Sequence, residues 1–344
     1  MATMRAAVLT GPQQFEVQEA ETPVPPPGYV LVRIRNCGVC GSDLHFYRGE
    51  FPHPPAFRMG HETSGEIAQI GEGVSGLSVG QPVAIEPVEV CRTCLYCTTG
   101  REQLCPDRKF LGTMLPGAFA DYISTPAYTA HPVPDNVDYE VGALVEPLAV
   151  SVHGLRTVQL QYGERVAVLG SGTIGLMAVV AARALGASDV FATARYPHQA
   201  EMARALGAHV VEAGDNAAGA LIEAFGGRTP EVVVETVGGV ANTVQEAITV
   251  CQPGGRVSVL GIFSALSPIN ATVLALKEVS LVGGITYGRP DNLSDFKVAI
   301  DIASKHADDL RKVITHRMPL DDIARAFAVA NDKTQRSIKV TVEV

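Results

Sequence analysis

The sequence predicts an α/β protein: a doubly wound parallel sheet in its second half, joined to a second, β-rich domain. Three observations carry this. From Val166 onward, short β-branched runs alternate with Ala-rich helical stretches, the texture of repeated strand–helix–strand units. Before about Glu140 the apolar runs are short and separated by Gly-rich turns. A Gly-x-Gly-x-x-Gly at 170–175 stands where the first strand of the second half should turn into a helix.

The elements follow in order. Residues 22–28 hold four prolines and form an extended connector. Val30, Val32 and Ile34 then alternate with Leu31, Arg33 and Arg35, the period of a half-buried strand. Runs at 66–70, 82–85 and 119–123 fit a closed or folded-over antiparallel sheet. In the second half, strands are expected at 165–169, 190–194, 231–236, 256–260 and 279–283. Helices at 174–185, 198–206, 217–225 and 241–251 lie between them. Helices at 293–303 and 320–330 and a strand at 337–344 have no place in the parallel sheet, so the tail is expected to return to the first domain.

Composition narrows the function. With 27 basic and 36 acidic residues among 344, the formal charge is −9, which gives no electrostatic footprint for nucleic acid. Blocks of Lys or Arg are absent, so an acidic membrane surface is not an expected partner. Residues 166–182 are uncharged, but their glycine motif and the following Arg183 fit a buried strand and helix better than a membrane span. The N-terminal apolar run is too short for a secretory signal, and a soluble, cytoplasmic protein is expected.

Chemistry concentrates in three places. Cys91-x2-Cys94-x2-Cys97-x7-Cys105 supplies four thiolates that can close a structural zinc site with no open position. Cys40 and His61, with Glu62 or Glu146, offer a second zinc a soft, a borderline and a hard ligand and an open place; spacing does not choose between the carboxylates. Gly170, Ser171, Gly172, Thr173, Ile174 and Gly175 form a dinucleotide fingerprint, with a tight turn and a helix N-terminus for the pyrophosphate. The next strand ends at Ala194, where an NAD site usually carries an acid; Arg195, Tyr196, Pro197 and His198 follow. A cation without an acid favours a 2′-phosphate and therefore NADP, with NAD the alternative.

Taken together, these residues resemble the zinc-containing medium-chain alcohol dehydrogenase family, and within it the sorbitol and threonine dehydrogenase (polyol) branch. The resemblance spans the chain: Cys40-Gly-Ser-Asp-x-His45, Gly60-His-Glu62, the four-cysteine lobe, Leu144-Val-Glu-Pro-Leu148, the fingerprint and Thr315-His-Arg-x-Pro319. It implies a catalytic zinc on Cys40, His61 and Glu62, with Glu146 as an inner or outer carboxylate, and a proton relay through Ser42 and His45. Asp43 matches a partner of the His ligand, and Cys37 is left to packing. The implied reaction interconverts a secondary alcohol and its ketone by hydride transfer with NAD(P). Polyol enzymes carry an Arg-Tyr pair for substrate hydroxyls; here Thr286 precedes Tyr287, which points away from a long polyol and leaves a smaller diol, hydroxy ketone, amino alcohol or cyclic alcohol open.

The resemblance further implies a GroES-like catalytic domain over 1–152 and 287–344, a Rossmann domain over 153–286 with the active site in the cleft between them, and a homo-oligomer, a tetramer. Two other classes fit the sequence less well. A zinc-free quinone or enone reductase would lack the cysteine lobe and metal ligands present here. A non-catalytic nucleotide-binding or zinc-ribbon protein would not need Cys40, Ser42, His45, His61 and Glu62 together.

Overall fold

A computed structural model describes residues 2–54, 56–214 and 217–344. The chain divides into two compact units, Met1–Glu146 with Ala303–Val344, and Pro147–Ile302.

The first unit opens with the antiparallel hairpin β1 (Thr3–Gly11) and β2 (Gln14–Glu21). There follow β3 (Tyr29–Gly38), helix α1 (Gly41–Tyr47), β4 (Glu62–Ile70) and β5 (Pro82–Ile85). The short strands β6 (Val88–Glu89) and β7 (Lys109–Phe110) bracket helix α2 (Leu95–Thr98). β8 (Tyr122–Pro126), β9 (Ala130–Pro132) and α3 (Tyr139–Ala143) complete this stretch. β3 is the hub: it pairs antiparallel with β4 along its length and with β8 over Tyr29–Arg33. Val30, Val32 and Ile34 are fully buried and Arg33 is exposed, as the alternation requires, although Leu31 is buried on the second face as well.

Helix α4 (Val145–Thr157) runs across the border into the second unit. There the chain alternates β10 (Arg165–Leu169), α5 (Thr173–Ala184), β11 (Asp189–Ala194), α6 (Pro197–Ala205), β12 (His209–Glu212) and α7 (Ala217–Ala224). It continues through β13 (Val232–Glu235), α8 (Thr243–Val250), β14 (Arg256–Val259), α9 (Ala271–Lys277), β15 (Ser280–Gly283) and α10 (Asp295–Lys305). The six strands are all parallel, in the order β12-β11-β10-β13-β14-β15. The order reverses at β10, so the turn leaving β10 lies at the topological switch point, where such sheets bind ligands.

The tail returns to the first unit, as expected. After α11 (Ala307–Val313), β16 (Ile314–Pro319) and α12 (Ile323–Asn331), strand β17 (Lys339–Glu343) pairs with β3 at Asn36–Gly38. Phe327 of α12 packs on Phe119 edge to face in the core.

The sequence reading assigns nothing to the β1–β2 hairpin, α1, α3, α4 or α11, and between β10 and β15 two elements escape it. β12 is a four-residue strand whose two valines are only half-buried, and α9 buries no residue, so neither carries a hydrophobic period. The compact units also divide at 146/147 and 302/303 rather than at 152/153 and 286/287. Residues 287–302 go with the parallel sheet because Asp295 is bonded to His153 and Arg156 of α4. Residues 166–182 form β10 and most of α5, and among the described residues no helix is long and apolar enough to cross a membrane.

Candidate active site

β3 ends at Gly38 and α1 begins after Cys40, whose backbone N–H donates to Asp43 Oδ2 at 3.0 Å. That bond fixes the turn presenting Cys40 at the helix start. β4 opens at Glu62, directly across from Gly38. Any side chain at Gly38 would collide with the Glu62 carboxylate, so only glycine lets that carboxylate fold over the strand. These two strand ends bring Cys40 Sγ, a His61 ring nitrogen and a Glu62 oxygen within 4.8 Å of one another, with His61 and Glu62 buried. His61 Nδ1 lies 3.6 Å from Asp43 Oδ1, beyond a hydrogen bond but close enough to orient the ring electrostatically.

The field in this pocket favours a cation. Burial works to lower the pKa of His61, yet Asp43 and Cys40 outweigh it and hold the imidazole well above its usual range. Glu146, in the first turn of α4, is pushed up to about 7 by burial, against the pull of His61. Thiolate, imidazole and carboxylate converging in a buried, cation-favouring pocket fit a zinc site with a place left for substrate. Of the two carboxylates the sequence left open, Glu62 is the one that closes on Cys40 and His61.

One participant was missed. Lys339 of β17 is 1% exposed; its Nζ is bonded to Glu62 Oε2 and donates to the Val39 carbonyl at 3.0 Å. Between Ile338 and Val340 it reads as the solvent-facing residue of an alternating strand, and nothing local signals otherwise.

On α1, Ser42 is half-exposed and His45 lies one turn on. His45 Nδ1 sits 2.5 Å from Glu50 Oε2, and its ring stacks on Phe51 at 4.9 Å. Hydrogen bonds from Arg48 and His45 hold the Glu50 carboxyl down at about 2, so an anion backs the imidazole.

The four-cysteine lobe is closed by geometry. Sulfur separations are 3.8 Å for Cys91–Cys97, 3.5 Å for Cys94–Cys97 and 3.6 Å for Cys105–Cys91. Four sulfurs about 2.3 Å from a tetrahedral zinc lie about 3.8 Å apart, so the thiols are already spaced for the metal. Backbone N–H groups of Thr93 and Cys94 hold the Cys91 thiol down at about 6, toward the thiolate that zinc needs. All seven cysteines are free, and Cys37 and Cys251 are buried in packing positions.

In the second unit the fingerprint forms the turn expected. Gly170 adopts φ 98°, and a side chain on Gly175 would strike the Gly170 carbonyl, so the turn and α5 approach only through glycine. Thr193 anchors the turn: its Oγ1 accepts from Gly170 N at 2.9 Å, and its carbonyl accepts from Ser171 Oγ at 2.8 Å. Gly172 caps α5, and Thr173 and Ile174 open its first turn, leaving backbone N–H groups for a pyrophosphate. β11 ends at buried Ala194, followed by exposed Arg195, whose guanidinium lies 5.9 Å from the Tyr196 ring; His198 is buried and stacks on Tyr196. Asp189 opens the same strand at its far end. After β15, Thr286 is half-buried with φ 50°, and Tyr287 is buried edge-on to Phe296.

Comparison with known proteins agrees with this assembly. Residues 26–135 match the alcohol dehydrogenase GroES-like domain, and residues 173–305 match the zinc-binding dehydrogenase domain. The chain is 34% identical to 2-dehydro-3-deoxy-L-galactonate 5-dehydrogenase of Pseudoalteromonas atlantica, over 99% of this chain and 98% of that one. It is 32% identical to sorbitol dehydrogenase of Bacillus subtilis, over 98% and 97%. A zinc-binding dehydrogenase of Sinorhizobium meliloti, solved with NADP bound, superposes with a TM-score of 0.89 at 30% identity over 100% of both chains. The chain therefore belongs to the zinc-containing medium-chain alcohol dehydrogenase family. It falls in the polyol branch, whose members are zinc-dependent, NAD(P)-dependent oxidoreductases of secondary alcohols.

Proposed function

We propose that this enzyme interconverts a small secondary alcohol, of the vicinal diol or hydroxy-ketone type, and its ketone, with NADP preferred to NAD. The observation that carries the reading is the buried convergence of Cys40, His61 and Glu62 beside the Ser42–His45 helix. When bound, zinc supplies the Lewis acidity that makes an alcohol hydroxyl acidic near neutral pH, and the nicotinamide supplies the hydride acceptor.

The chain does the rest. Cys40, His61 and Glu62 would hold the metal, Asp43 orients His61, and Lys339 fixes the Glu62 carboxylate. Ser42 Oγ accepts the substrate hydroxyl proton and passes its own toward His45, whose imidazole is braced by Glu50 at 2.5 Å. In the second unit, the backbone after Gly170 receives the pyrophosphate, and Arg195 receives the 2′-phosphate where Ala194 offers no carboxylate. Thr286 in place of arginine supports a short substrate. Cysteine 91, 94, 97 and 105 would hold the second zinc, in a structural role. Self-association into a homo-oligomer is part of the reading: β15 is an edge strand with Leu281 exposed, and Leu276 and Ile285 beside it are exposed too.

The test of the cofactor preference is Arg195→Ala. Its KM for NADP should rise about tenfold, the worth of a charge-assisted hydrogen bond, with little change for NAD. Equal effects on the two cofactors would remove the 2′-phosphate role.

A further inference from the structure

The segment following β15 holds a costly backbone conformation. Thr286, Asp291 and Asn292 all lie at positive φ, at 50°, 56° and 62°. For a β-branched residue such as Thr286 this is a strained conformation that persists only where its surroundings over-determine it. From two residues further on, a buried ionic centre holds the same segment. Asp295, 0% exposed at the start of α10, accepts at Oδ2 from His153 Nδ1 at 2.7 Å and from the Gly288 backbone N–H at 2.9 Å. Its Oδ1 is bonded to Arg156 Nη1. Arg156 also donates to two carbonyls of the same segment, Leu293 at 2.8 Å and Pro290 at 2.9 Å. One carboxylate and one guanidinium thus tie residues 288, 290 and 293 to α4.

We propose that the Asp295–Arg156–His153 centre is a positioning device that sets where Thr286 and Tyr287 stand, and through them which alcohol the enzyme accepts. This rests on the reading of Thr286 and Tyr287 as substrate-side residues. The three act through the segment they hold. Asp295 is the keystone because its carboxylate joins both α4 side chains to the Gly288 amide, adjacent to Tyr287.

The experiment compares Asp295→Asn and Arg156→Lys with Thr286→Gly in the full-length, zinc-loaded enzyme. Readouts are alcohol KM and kcat over a series of diols, nucleotide Kd by fluorescence, zinc content, and amide exchange at Gly288. Asp295→Asn should raise the alcohol KM and speed Gly288 exchange, each about tenfold, the worth of hydrogen bonds to a charged group. Zinc content and nucleotide Kd should stay unchanged. Arg156→Lys, which keeps the charge but loses the two-pronged grip, should do the same more weakly and serves if Asp295→Asn does not fold. An unchanged KM and preference among diols with faster Gly288 exchange would overturn the proposal, as would unchanged exchange. If instead Thr286→Gly leaves KM and preference untouched, the substrate-side reading itself fails, whatever Asp295 does.

Discussion

At the residue scale, the informative feature is a charge where a strand pattern shows only alternation. Lys339 and Glu62 form a buried pair separated by 277 residues, with both side chains 1% exposed. Removing one member of a buried pair leaves the other uncompensated, at a cost of about 3–5 kcal/mol. Lys339→Met should lower stability in urea by that order, and Lys339→Met with Glu62→Gln should recover part of it. Additive losses in the double-mutant cycle would mean that the pair does not couple. The same pair shows where sequence reading stops. Cys40, His61 and Glu62 were recognisable because each sits in a short motif at a strand or helix end. Lys339 and Asp295 were not, because each works only through partners far along the chain: Asp295 and Arg156 are 139 residues apart. A contact of that kind exists only once the sheet is assembled.

At the element scale, legibility followed locality. The cysteine lobe and the fingerprint are each complete within fifteen or fewer consecutive residues, so spacing alone defined them, and the structure reproduces both. Strands β10, β11, β13 and β14 were legible because both faces of a parallel sheet are covered and their runs are largely apolar, with only Thr193 and Ser258 as polar interior residues. The edge strand β12 and the helix α9 were not, since neither fully buries a residue and each offers the core only a partly buried side chain, Val211 and Leu274. Two predictions belong here. Cys105→Ser should take zinc from two equivalents per chain to one by elemental analysis and lower Tm; retention of both equivalents would deny the lobe its metal. Gly175→Ala drives a methyl group into the Gly170 carbonyl, so it should weaken nucleotide binding by at least about tenfold while zinc stays bound. Unaltered affinity would show that α5 does not need its close approach to the turn.

At the scale of the whole molecule, the two compact units divide the labour. The first carries both cysteine-bearing clusters and the Ser42–His45 helix, and the second carries the dinucleotide fold and the clamped segment after β15. A homo-oligomer formed through the β15 edge would be sensitive to a charge there. Leu281→Lys should therefore shift the mass measured by light scattering toward the monomer, and an unchanged mass would place any interface elsewhere. Zinc-dependent oxidation of a small secondary alcohol is assigned to the Cys40–His61–Glu62 centre. Its most direct test is the initial rate of NADP and NAD reduction by zinc-loaded enzyme and Cys40→Ser, across simple secondary alcohols, vicinal diols, sorbitol and threonine. Turnover of short diols or secondary alcohols with NADP, abolished in Cys40→Ser while nucleotide still binds, is the expected result. Full activity in Cys40→Ser would contradict the centre, and a preference for sorbitol with NAD would contradict the roles assigned to Thr286 and Arg195.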